Sequence, residues 1–160
     1  MGNDLKISSK TLSKYINILE QAFLVKIAYN YTGNQLTSEK KLKRLYLSSS
    51  SFCTALHSDV KIGLLVENTI VSSFPDIFFW RDAYKHEVDL VKFEEKKAIP
   101  VEIKFKNQTN KTDFQNLYLF AKKFGTEKAI LLTNQIDTQI IDYKEISIEV
   151  KSLYWHDTSD

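Results

Sequence analysis

Pro75 divides the sequence into two patterns, and the second of them admits few folds. Three strand-like runs follow it in succession: "IFFWR" (77–81), "HEVDLVKF" (86–93) and "AIPVEIKF" (98–105), the last two joined by the turn-like "EEKK". Then "KTDFQNLYLFAKKFG" places Phe114, Leu117, Tyr118, Ala121 and Phe124 at helical spacing, with Gly125 where a helix ends. The short apolar "KAILLT" reads as a fully buried strand, and "ISIEVKSLYW" as one more alternating strand. A meandering antiparallel start followed by a helical crossover predicts a mixed sheet covered by helices.

Before Pro75 the pattern is different. Leu12, Tyr15, Ile16, Leu19 and Phe23 recur on one face of a helix predicted from about Ser9 to Leu24, capped by Ser8 or Ser9. "LVKIAYNY" and "KKLKRLYL" read as a hairpin around the polar "TGNQLTSE". A second helix is expected over about 60–74, stopped by Pro75. Residues 1–60 carry 8 Lys and Arg against 4 Asp and Glu, whereas 61–160 carry 14 against 16. The first part is therefore basic and suits an anionic partner. A single Cys53 allows no internal disulfide and no thiolate metal site, which fits a reducing cytoplasm. Apolar runs such as "IGLLV" are far too short to span a bilayer, so no membrane partner is expected.

The chemistry lies in "IPVEIKFK". Side chains two apart share a strand face, so Glu102, Lys104 and Lys106 point one way and Val101, Ile103 and Phe105 point into the core. If the strands pair through "FEEKK", Asp89 lies beside Glu102. Two adjacent carboxylates repel unless a cation or proton sits between them. Mg²⁺ or Mn²⁺ suits a few hard oxygens plus water and a phosphate, with Lys104 beside it. Glu67, embedded in "GLLVENTIV", is a charge in an apolar helix and is expected to reach the same cluster.

Glu67, Asp89 and Glu102-Ile103-Lys104, in the order helix, strand, strand, resemble the PD-(D/E)XK nuclease superfamily. Further, "KTLSKYINILEQAFLV", "KKLKRLYL", "GLLVENTIVSSF", "FFWRDAYKHEVDLV" and "IPVEIKFK" together resemble the C-terminal half of archaeal and bacterial AAA-type ATPases. There a winged-helix segment and a nuclease-like domain follow the ATPase module. The resemblance spans about residues 8–133. It implies a restriction-endonuclease-like α/β (α+β) fold, with a partial winged-helix segment over 1–50 and a nuclease-like domain over 51–160. It implies a catalytic set of Glu67, Asp89, Glu102 and Lys104, and a metal held by Asp89, Glu102 and the Ile103 carbonyl. It also implies DNA contact through Lys10, Lys14, Lys41, Lys43 and Arg44.

Two departures are visible. Val88 stands where the family has Pro before the first acid, and Ser49 or Ser50 where relatives usually have Asp. No G-x-x-x-x-G-K-[ST] loop exists, so no nucleotide site is expected and the ATPase module is missing from this chain. The two helices that precede a recognition helix are also missing, which predicts an expressed fragment or a natural truncation. It further predicts an exposed apolar face around Leu12, Ile16 and Phe23, open to a homodimer or a docking partner. Gln115 is a weaker site candidate, and His86 reads as a strand-edge histidine. The functional expectation is DNA phosphodiester hydrolysis with Mg²⁺ or Mn²⁺, as an endo- or exodeoxyribonuclease. The alternative is a catalytically inactive nuclease-fold module that binds DNA or docks protein for an ATPase.

Overall fold

The computed structural model describes residues 7–33 and 42–154. Helix α1 (Ser9–Gln21) starts at Ser8, whose hydroxyl accepts from the Thr11 N–H at 3.1 Å. It stops three residues before the predicted Leu24, because Phe23 takes a left-handed φ of 56°. The Phe23 N–H then bonds the Glu20 carbonyl and the Leu24 N–H the Leu19 carbonyl, the paired bonds that close a helix end.

Strands β1 (Val25–Asn30) and β2 (Lys43–Leu47) form the expected antiparallel hairpin. The serine run holds a helix the sequence reading passed over, α2 (Ser50–Leu56), with the Ser49 hydroxyl accepting from the Ser51 N–H. Helix α3 (Ile62–Ser73) follows, close to its expected bounds. Next come β3 (Phe78–Arg81), β4 (Glu87–Val88), β5 (Leu90–Glu94) and β6 (Lys97–Lys104). A 3₁₀ turn (Lys111–Phe114) leads into α4 (Gln115–Phe124), which Gly125 ends at φ 70°. Strand β7 (Lys128–Thr133), a further strand β8 (Gln139–Tyr143) that the reading missed, and β9 (Ile146–Ser152) complete the chain.

The strands make two mixed sheets, ordered β2-β1-β3-β4 and β5-β6-β7-β9-β8. Because β1 pairs in parallel with β3, the first sheet runs across the boundary expected at residue 50. In the second sheet β6, β7 and β9 are parallel, with α4 as the crossover from β6 to β7. Parallel strands of this kind are covered on both faces. On one face Phe114, Leu117, Phe120 and Ala121 pack over Ala98, Ala129 and Leu131. On the other, Val71, with Val66 and Ile70, packs over Ile99, Val101, Ile103, Ile130 and Leu132. This explains why "KAILLT" shows no alternation.

The run "HEVDLVKF" is not one strand. Val88 pairs with Trp80 in the first sheet, whereas Leu90 pairs with Val101 in the second. Val88 packs in the α4-side core and Leu90 in the α3-side core, although same-parity residues of a regular strand share a face. The chain changes sheet and face at Asp89. Phe105 is a second correction: β6 ends at Lys104, so alternation no longer buries the ring, which is 43% exposed.

Candidate functional site

The sheet change is what puts Asp89 where it is. Extending the Leu90↔Val101 register by one residue sets Asp89 opposite Glu102, and the Asp89 Oδ2 accepts from the Ile103 N–H at 2.9 Å. That bond uses an N–H that a continuous β5 ladder would otherwise occupy. Both carboxyls are buried, Asp89 to 8% and Glu102 to 4% exposure. Lys104, two residues beyond Glu102 on the same face, places its Nζ 2.6 Å from Glu102 Oε1. The other oxygen, Glu102 Oε2, is buried with no hydrogen-bond partner among the described residues. A buried, unpartnered carboxylate oxygen is costly, and proteins rarely leave one without a purpose.

The electrostatics follow from this geometry. Burial raises the Asp89 carboxyl to about 6, helped by the Glu67 charge and opposed by the Ile103 N–H and the Lys104 and Arg44 cations. Burial likewise raises Glu102 to about 8, with Asp89 adding to it and Lys104 opposing it. Burial alone would lower the Lys104 ammonium, but the Glu102 charge and hydrogen bond raise it on balance. One cation therefore serves two buried acids, and the pair retains protons at pH values where ordinary carboxyls have none.

Glu67 stands beside this pair and not within it. Helix α3 covers the sheet face opposite to Glu102, and the Glu67 Oε1 accepts from the Tyr46 hydroxyl of β2 at 2.9 Å. Among the described residues no three His, Cys, Asp or Glu side chains come close enough to hold a metal together. The two acids nonetheless suit a hard cation, since Glu102 offers an orphaned oxygen and the site is short of positive charge.

Sequence reasoning also missed what surrounds the acids. Glu87 on β4 pairs with Arg44 of β2 and lies 3.6 Å from the Arg81 Nε. Arg44 stacks over the Phe79 ring at 4.4 Å, so this cation of the expected DNA-contact set is engaged within the protein. Lys10, Lys14 and Lys43 are exposed, and Lys41 lies outside the described residues. Between α1, the hairpin, α2 and α3 opens a cleft of about 820 Å³, with Arg44, Glu67 and Glu87 in its wall. Leu12 and Ile16 line it half-buried, a correction to their expected exposure, while Phe23 is 85% exposed. The cleft leads to Glu87 and Glu67, and Asp89 and Glu102 are not part of its lining.

The remaining candidates are placed elsewhere. Gln115 bonds the Tyr143 hydroxyl and the Lys144 ammonium. His86 lies 2.8 Å from Asp82 Oδ2 within a local turn. Ser49 caps α2, its hydroxyl accepting from the Ser51 N–H. No alternation or spacing could have revealed Tyr46 or Arg44, because both act across a chain separation of at least 21 residues.

The fold and site thus define a mixed α/β domain with a buried acid pair at a sheet junction. A family model described as domain of unknown function DUF4143 matches residues 62–153, more than half of the chain, and the protein belongs to that family. A second model, domain of unknown function DUF8612, matches residues 1–63. No curated protein and no solved structure matches. Among the described residues no helix is long and apolar enough to cross a membrane.

Proposed function

We propose that this chain is a nuclease-like domain that hydrolyses DNA phosphodiesters with Mg²⁺ or Mn²⁺, and that it serves an AAA-type ATPase. The observation that carries the reading is the buried Asp89–Glu102 pair, with its unpartnered oxygen and Lys104 at one edge. A pair built only for stability would have its oxygens satisfied, whereas this one is complete only with added positive charge. Asp89, Glu102 and the Ile103 carbonyl would hold the ion. When bound, it supplies a polarised phosphoryl oxygen and a more acidic water.

Lys104 is half exposed, with its ammonium anchored on Glu102, so it is oriented without being sealed from substrate. It positions the attacking water and meets the charge that develops on the phosphate. Exposed Lys10, Lys14 and Lys43 supply sequence-independent phosphate contacts. Restriction-endonuclease-like and winged-helix architectures are part of this proposal, supported by the motif order and by the mixed sheet with its α4 crossover.

A second reading is favoured by one specific observation. Glu67 is held by Tyr46 and Lys104 by Glu102, and among the described residues no three acids close on one point. A nuclease fold retained as a DNA-binding or protein-docking scaffold would look like this. Incubation of the wild-type chain with linear, circular and single-stranded DNA in Mn²⁺ separates the two. Hydrolysis is expected, abolished by chelation and lowered at least 100-fold by Lys104→Ala, in the range by which lost charge-stabilising groups slow catalysis. Binding without cleavage of any DNA form establishes the scaffold instead, and full activity in Lys104→Ala overturns the role given to Lys104.

A further inference from the structure

Tyr46 belongs to the region matched by the second family model, residues 1–63, and Glu67 to the region matched by the first, residues 62–153. The 2.9 Å bond between them is therefore a contact across the junction of two sequence families. The phenol is well placed to be a permanent donor. Its ring is 7% exposed, and burial, with the Glu67 charge, drives its ionisation far above the physiological range. The strand that carries it is fixed on both sides: Tyr46 lies opposite Lys26 in the hairpin register, and Asn68 bonds both the N–H and the carbonyl of Leu47 at 2.9 Å. Glu67 itself is half-buried on α3, one residue before Asn68, in the wall of the 820 Å³ cleft. Left without Tyr46, its carboxylate has open space to turn into.

We propose that Tyr46 is a positioning residue: its hydroxyl fixes the Glu67 carboxylate towards Asp89, so that the charge of the candidate cation site is assembled from both family regions. The proposal rests on the reading of Asp89 and Glu102 as that site. Glu67 acts on it by charge and not as a direct ligand, in keeping with the lack of a three-acid cluster among the described residues. Arg44, two residues before Tyr46 on the same strand face, contributes in the opposite sense by neutralising Glu87. The hairpin thus sets how much negative charge faces the cation, and it is a working part of the site.

Calorimetric titration with Mn²⁺ alone tests this, using wild type, Tyr46→Phe, Glu67→Gln and the double variant. Phenylalanine keeps the buried ring, and glutamine keeps an acceptor for the phenol, so the fold is challenged little. Each single variant is expected to weaken Mn²⁺ affinity by about tenfold, and the double variant no further than Glu67→Gln alone, because the two act as one unit. A Tyr46→Phe chain that binds as wild type does, or more tightly, overturns the positioning role while leaving the cation site standing. Additive losses overturn it as well. A wild type that binds no Mn²⁺ overturns the cation reading and this proposal together. Should Tyr46→Phe fail to fold, the Tyr46 Cζ resonance of the wild type is followed on saturation with Mg²⁺. It is expected to shift, and to stay still in Glu67→Gln; no shift in the wild type contradicts the coupling.

Discussion

At the scale of single residues, the site is a pair of acids that the protein buries at its own expense. Asp89 and Glu102 both ionise with more difficulty in the folded chain than in the unfolded one. The folded state therefore binds more protons between about pH 4 and 8, and the pair's contribution to stability is full at low pH and lost as pH rises through 6 and 8. In the absence of divalent ions, the unfolding midpoint should fall between about pH 5 and pH 8.5. Glu102→Gln should flatten that slope, and thermal melts across pH check both outcomes. A wild type that grows more stable towards pH 8.5 would mean the acids are compensated in some other way. At this scale much was legible in the sequence, since two charged residues in alternation with Val101 and Ile103 mark a strand face. What was not legible is that Glu102 is more buried than Lys104, because α4 and β4 cover that face from elsewhere in the chain.

At the scale of elements, helix and strand periods were readable wherever one side faced water. Helix α4 and its Gly125 stop follow the pattern, and α1 follows it up to its end. The end of α1 was misjudged because a left-handed stop is normally announced by Gly or Asn, and here the residue is Phe23. A non-glycine residue in that conformation costs about 1 kcal/mol, and an 85%-exposed ring recovers little by burial. Phe23→Gly should accordingly stabilise the chain by roughly 0.5–1 kcal/mol, measured by urea unfolding. A loss of stability would show that the ring has a partner in solution. Helix α2 was hidden in a serine run because it is only 7 residues long, too short for Phe52 and Leu56 to establish a period, and the Ser49 cap is its clearest mark. Strand β8 escaped for a related reason: it is an edge strand, largely exposed, with Ile140 turned outward.

At the scale of the whole molecule, the sequence divides into two family regions while the structure joins them. The sheet β2-β1-β3-β4 draws two strands from each side of residue 62, and Phe79 packs with Ala28 and Tyr46 as well as with Leu90 and Val101. No linear reading of composition predicts that joint, because the pairing of β1 with β3 spans about fifty residues and depends on docking rather than on local pattern. The acid pair sits where the two sheets meet, so its chemistry is a property of the assembled chain. The most direct measurement is therefore a calorimetric Mn²⁺ titration of the intact wild type beside Asp89→Asn, whose amide oxygen still accepts from the Ile103 N–H. Saturable binding by the wild type and its loss in the variant is the expected result. Equal binding by both chains, or none by either at millimolar metal, would contradict a cation site at Asp89 and Glu102.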